Sequence, residues 1–320
     1  MANLLDQASI VLTPTAYDNG KVLCAKPSEP PYGDFDFSRN SAATRVNAQG
    51  LVENVQILSS NLVQNGDFSE EGAEEVSNGS FSQEGVELVT NGSFDTDTDW
   101  TILNSAGATT NISGGSLNII TNGAFSQASQ DSILTSGKSY VIDYTITSNA
   151  VVGSLAIVGG SANLIVPSTV GTHSFYFEAD GVGFAFKRGG GALNVSIDNC
   201  SVREVGQNWS LGTGWSIAED KATFDETIGG AGDIVQNSIL TSGKSYKLTF
   251  DTLETNGGNL AYKLGGGYTF ISNIQANTTH TVYGVAGGSQ FALRGASDFI
   301  GSITNISVKE VGQNWTLVSA

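Results

Sequence analysis

The sequence predicts an all-β protein, with tandem antiparallel β-sandwich (jelly-roll) modules after an extended N-terminal region. Three observations predict it. Alternation of Val, Ile, Tyr, Phe and Thr with polar residues recurs, as in SYVIDYTITS, GTHSFYFEA and SYKLTFDTL, and period-two alternation marks half-buried strands. Clusters of Gly, Asn, Ser and Thr separate these runs at intervals near the roughly 8–12 residues of sandwiches and barrels. No stretch holds a helical period, and short helical turns are expected only near residues 2–8 and 40–46.

Internal repetition fixes the organisation. DSILTSGKSYVIDYTI (131–146) matches NSILTSGKSYKLTFDT (237–252), and SIDNCSVREVGQNWSL (196–211) matches SITNISVKEVGQNWTL (302–317). One offset of 106 residues serves both pairs, so a whole domain is duplicated. GTHSFYF (171–177) aligns with TTHTVYG (278–284) after a slip of one, which makes His173 and His280 equivalent. Trp100 and Trp215 each open a module on this reading. A shorter repeat of period 13 precedes them: NLVQNGDFSEEG (61–72), EEVSNGSFSQEG (74–85) and ELVTNGSFDTDT (87–98). Its Asn-Gly pairs predict type I′ hairpin turns, which need positive φ at both central residues. The predicted divisions are 1–60, an N-terminal anchoring region containing the Pro-Pro stretch; 61–98, the acidic strand-turn repeats; 99–206, module 1; and 207–320, module 2.

Charge and composition exclude several functions. The chain has 320 residues, 14 Lys+Arg and 31 Asp+Glu, a net charge of −17. Nucleic acid and anionic membrane surfaces are poor partners for such a chain. No apolar run approaches a membrane span, and MANLLDQASIVLTP lacks the basic and apolar regions of a signal peptide. Residues 46–137 hold twelve acids and no Lys or Arg. A solvated surface is the preferred reading of that block over a cation-binding one. Cys24 and Cys200 form no metal-ligand pattern, and their pairing is open.

No catalytic residue is expected. The two histidines occupy duplicated strand positions, no GxSxG elbow occurs, and Glu178 with Asp180 has no carboxylate counterpart in module 2. Asp95, Asp97 and Asp99 alternate as a candidate calcium site, but Trp100 and Ala106 break the EF-hand pattern, and a solvated loop is preferred. Sugars are gripped by aromatic faces flanked by hydrogen-bonding groups. Tyr262, Tyr268 and Phe270, around the glycine-rich LGGGYTF, are the glycan-binding candidates. The four Trp residues stand at module seams and read as packing residues. The glycine runs read as tight turns, not phosphate cradles.

DFDFSRNSAATRVNAQGLVENV (34–55) resembles a stretch near the N-terminus of tailed-bacteriophage virion proteins, typically tail fibres and related appendages such as head fibres. NLVQNGDF and ELVTNGSFDTDTDW resemble the opening of jelly-roll carbohydrate-binding modules, and SIDNCSVREV and SITNISVKEV their closing strand. The resemblance implies a virion structural protein, made in the bacterial cytoplasm and displayed on the particle. Phe37, Arg39 and Arg45 would anchor it to capsid or tail proteins. It implies a homo-oligomer, commonly a trimer, with a host glycan as the candidate ligand. It also implies a structural calcium joining the opening segment to Asp198, which is Thr304 in module 2. A decoration protein without ligand and a secreted bacterial carbohydrate-binding protein are the alternatives. A glycan-degrading tail spike is a third reading, which requires two converging carboxylates.

Overall fold

The computed structural model describes residues 63–315 except 152, 226, 228, 229, 273, 297 and 298, and before them segments 17–18, 21–23, 34–36, 44–46 and 48–54. Two compact units result, Met1–Gln64 and Asn65–Ala320. In the first, strands Tyr17–Asp18, Lys21–Leu23 and Asp34–Asp36 form one small sheet, and Thr44–Val46 pairs with Val52–Asn54. Arg45 lies in that hairpin, opposite Glu53. Phe37, Arg39, Cys24 and the helical turn expected at 2–8 lie outside the described residues. The turn expected near 40–46 is strand at Thr44–Val46.

The second unit is all-β. One sandwich comprises a sheet in the order Asn163–Val166, Ser154–Gly159, Phe184–Gly190, Ser126–Gln130, Thr101–Asn104. Its facing sheet runs Gly171–Glu178, Ser139–Val151, Leu193–Val205, Leu117–Thr121, Ala108–Ile112. The other sandwich repeats the plan. Its first sheet runs Ser210–Leu211, Gly232–Gln236, Phe291–Gly295, Leu260–Leu264, Tyr268–Ile271. Its second runs Trp215–Ala218, Lys221–Asp225, Ile300–Val311, Ser245–Thr255, Thr278–Val285. We call the two sandwiches module 1 and module 2. Ser245–Thr255 shows why the alternation produces this. Tyr246, Leu248 and Phe250 are buried, while Lys247, Thr249 and Asp251 point outward. Each fully buried side chain of this size is worth about 1.5–3 kcal/mol. In module 1 the equivalent strand departs from alternation, because outward-facing Val141 is also buried, within the apolar cluster of module 2.

The long closing strands, Leu193–Val205 and Ile300–Val311, each carry a bulge. Asn199 and Asn305 sit there at φ 51° in both, in the left-handed region that Asn tolerates. The bulge frees the next residue's backbone to pair elsewhere. Cys200 N donates to Gly92 O (2.8 Å) and Ile306 N to Gly79 O (2.9 Å). The partners are the glycines of the 13-residue repeats.

Those repeats depart from the expected hairpins. Asn65, Asn78 and Asn91 have positive φ, as do Phe68, Phe81 and Phe94, but the residues between them do not. A type I′ turn is therefore ruled out. In each unit the Phe N–H instead donates to the Asn carbonyl three residues back. A Cβ on Gly79 or Gly92 would lie 1.9 Å from the Ile306 or Cys200 oxygen, so only glycine admits the closing strand.

The repeats are also not stacked ahead of module 1. Each Asn carbonyl accepts an indole N–H: Asn91 from Trp100 (3.2 Å), Asn78 from Trp209 (2.9 Å) and Asn65 from Trp315 (3.0 Å). Each Phe packs on the same Trp, with centroids 5.3, 5.3 and 5.2 Å apart. The third unit thus opens module 1, the second opens module 2, and the first sits at the far end of module 2. The expected equivalence of Trp100 with Trp215 is corrected: Trp100 corresponds to Trp209, and Trp215 donates to Gly232 O within its own module.

Carboxylates and amides fix this staple. Glu87 accepts from Val202 N and Ser201 Oγ, and Glu74 accepts from Val308 N and Ser307 Oγ. Gln130 brackets the Thr90 backbone with both amide atoms, and Gln236 does the same for Ser77. Arg203 pairs with Glu84, and Lys247 and Lys309 with Glu71. Four of the block's twelve acids, Glu71, Glu74, Glu84 and Glu87, are therefore engaged with the modules.

Candidate functional site

The first sheet of module 2 turns one face to its core and one to solvent. Ile234, Leu293, Leu260 and Leu264 are buried inward. Alternation then sends Asp233, Arg294, Lys263, Tyr268 and Phe270 to the outer face. Lys263 is directly opposite Tyr268, and Ala261 opposite Phe270. Small Ala261 and Ala292 lie between the larger side chains and are fully covered by them.

Tyr268 is clamped. Its hydroxyl donates to Asp233 Oδ2 (2.6 Å), and the Arg294 guanidinium lies 3.7 Å from its ring centroid. Arg294 donates in a fork to both Asp233 oxygens, at 2.7 and 3.0 Å. Lys263 Nζ lies 5.6 Å from the same ring and donates to Gln290, which donates onward to Asn237. Burial works to raise the Asp233 carboxyl, but the Arg294 and Tyr268 hydrogen bonds and the nearby cations outweigh it and hold it below the usual range. Burial first, and then the Asp233 hydrogen bond, push Tyr268 up to about 12. Phe270 stands beside this cluster with 62% of its surface exposed. The arrangement offers an apolar ring beside a preordered set of donors and acceptors.

Of the three sequence candidates, Tyr268 and Phe270 share this face. Tyr262 does not: it lies opposite Thr269 and packs against the core. Strand phase separates them, since 262 and 263 point to opposite faces. Asp233, Arg294 and Lys263 were missed by sequence reasoning. The signal available was their phase with Tyr268 across the turn at Gly265–Gly267. That turn needs Gly265, whose φ is +67° and whose added Cβ would lie 2.2 Å from the Gly288 carbonyl carbon.

Module 1 builds the face differently. Gln127 and Lys187 replace Asp233 and Arg294, and Asn163 and Ile165 replace Tyr268 and Phe270, by register. Lys187 donates to Asn163 and lies over the Phe125 ring at 5.5 Å. The clamped aromatic is peculiar to module 2.

The candidate calcium ligands do not converge. Among the described residues, no three His, Cys, Asp or Glu side chains gather as a metal site. Asp95 accepts from Ser93, Asp99 from Thr98 and Asp198 from Asn199 N, while Asp97 stands exposed. The carbonyls of Thr96 and Thr98 instead receive the Asn91 amide, at 2.7 and 3.0 Å. Glu178 is exposed at a strand end, and Asp180 accepts from Ser161 and Ala162 in a turn. The Ser161 hydroxyl and N–H hold the Asp180 carboxyl below its ordinary value. His173 bonds Thr169 O, and His280 stacks on Phe250. Cys200 is a free, buried thiol, which burial pushes up.

No family model matches the chain, and no curated protein does. Among solved structures, the chain is similar to the N-terminal CBM22 tandem domain of Paenibacillus barcinonensis Xyn10C, at 9% identity and a TM-score of 0.32, covering 72% of this chain and 99% of that one. It is also similar to a family 29 carbohydrate-binding module, at 17% identity and a TM-score of 0.26, covering 37% and 89%. A third similarity is to allantoicase from Saccharomyces cerevisiae, at 11% identity and a TM-score of 0.27, covering 60% and 80%.

Proposed function

We propose that this chain is a bacteriophage virion appendage protein that attaches through its N-terminal region and binds a host glycan on the outer sheet face of module 2. The observation that carries the glycan half is the clamped Tyr268 with Phe270 exposed beside it. Sugar recognition needs an aromatic plane held against rotation, with charged and amide groups fixed around it. Asp233, Arg294, Lys263 and Gln290 supply those groups already ordered, which lowers the entropic cost of binding. The resemblance of residues 34–55 to virion proteins supports the attachment half.

Two experiments test the halves separately. A glycan array probed with the full chain should give hits that Phe270→Ala weakens by roughly tenfold, the value of one stacking contact. No binding above background would remove the ligand and leave a decoration protein. Immunogold labelling of intact particles should place the chain on the virion, and particles without label would end that half.

A further inference from the structure

Among the described residues, the second unit has three opening elements and two sandwiches. An opening element is an Asn-Gly-x-Phe turn closed on a Trp. Phe94 with Trp100 and Phe81 with Trp209 are built into sandwiches and buried, whereas Phe68 is 61% and Trp315 46% exposed. The Asn65 amide nitrogen is buried without a partner, while that of Asn78 donates to Gln207 O.

The seam between the modules shows what normally covers such an element. Strand Trp215–Ala218 lies against Ser139–Val151 and Gly171–Glu178. Ile217 presses on Gly206, with its Cδ1 2.3 Å from where a Cβ would stand. Tyr176 meets the Glu219 backbone with its hydroxyl. By register, the far end of module 2 repeats this surface. Gly312 replaces Gly206 and a Cβ there would meet nothing within 4 Å. Tyr283 replaces Tyr176 and is 64% exposed. A groove of about 680 Å³ lies here, lined by Phe68, Tyr283, Val311 and Trp315 among others. The surface is not identical: Lys247 replaces Val141 and is held at the rim by Glu71, Thr249 replaces Asp143 and Val285 replaces Glu178.

We propose that this end face seats a further β-sandwich module of the same repeat, one that lacks an opening element of its own and enters with an apolar strand as Trp215–Ala218 does. Continuity with the existing seam argues for this occupant. A second copy of the chain does not fit, because its module 1 already holds Phe94 and Trp100 where Phe68 and Trp315 would go.

The test extends the full chain after Trp315 with a second copy of residues 210–314, which leaves out that copy's own terminal Trp. Acrylamide quenching reads Trp315, since Trp100, Trp209 and Trp215 are buried. Hydrogen exchange reads residues 278–285. In the extended chain the quenchable fluorescence from Trp315 should be lost and 278–285 should gain protection. Tyr283→Asp should reverse both, without moving the melting point of the unextended chain. A folded added module that leaves Trp315 quenchable would overturn the proposal. So would an added segment that stays unprotected on a folded parent chain. Concentration-dependent shielding of Trp315 in the unextended chain, with self-association in the ultracentrifuge, would show the occupant to be a second copy instead.

Discussion

Gly79 and Gly92 are where single atoms decide the fold of the second unit. Each lets a closing-strand carbonyl approach to where a side chain would stand. Gly92→Ala is expected to cost about 1–3 kcal/mol, as overpacking does, read by urea unfolding. Gly267→Ala, with open space around it, should stay within about 0.5 kcal/mol. Equal effects would contradict the close approach. The Asp233–Tyr268 pair gives a pH signature at the same scale. The Asp233 carboxyl is lowered on folding, so its contribution is present above the ordinary carboxylate range and lost as pH falls through the folded value. Tyr268 is raised from 10.0 to about 12, so its contribution is present below 10.0 and lost as pH rises toward the folded value. Thermal melts should therefore show an alkaline decline above about pH 10 that Tyr268→Phe reduces. An unchanged decline in that variant would remove Tyr268 as its source.

At the scale of elements, the staple of residues 65–98 is held through its backbone, which side chains of the modules bind. Gln236 satisfies both the N–H and the carbonyl of Ser77, at 3.0 and 2.6 Å. Gln236→Ala removes both bonds, at about 0.5–1.5 kcal/mol each, because Ser77 is exposed and water can take the amide's place. Hydrogen exchange should rise at 74–81 and in module 2 more than in module 1, and Gln130→Ala should reverse that ranking. Uniform loosening in both variants would argue against separate clamps. The period of 13 and the offset of 106 made the parts of this staple legible in the sequence. Their order was not legible. Asn91 meets a Trp nine residues away, whereas Asn78 and Asn65 meet theirs 131 and 250 residues away. A nearby Trp marks the third unit, but nothing local separates the first from the second, and long-range pairing assigns the units to modules in reverse. The candidate site was half legible for a related reason. Aromatic residues beside a glycine turn could be seen, but strand phase put Tyr262 inside and brought Asp233 and Arg294 from other strands.

For the whole molecule, the question is whether two sandwiches behave as one body. Val141 gives the sharpest handle. It faces outward from module 1, yet only 2% of its surface is exposed, because module 2 covers it. Module 2 carries Lys247 at the equivalent position, where no sandwich is seated. A charged side chain there is thus compatible with the module's own sheet. Val141→Asp should leave each sandwich folded while forcing a carboxylate into the apolar seam, where Arg203 is already taken by Glu84 and Asp143 and an unpaired charge is costly. Calorimetry of the parent chain should show the second unit unfolding as one transition, and Val141→Asp should divide it in two. A single transition that survives the substitution would assign the coupling to the staple, which touches module 1 through Glu84 and Arg203 and module 2 through Glu71 and Lys309. In that case adding Glu84→Gln should divide it, because Arg203 would lose the salt bridge that ties the middle of the staple to the closing strand of module 1.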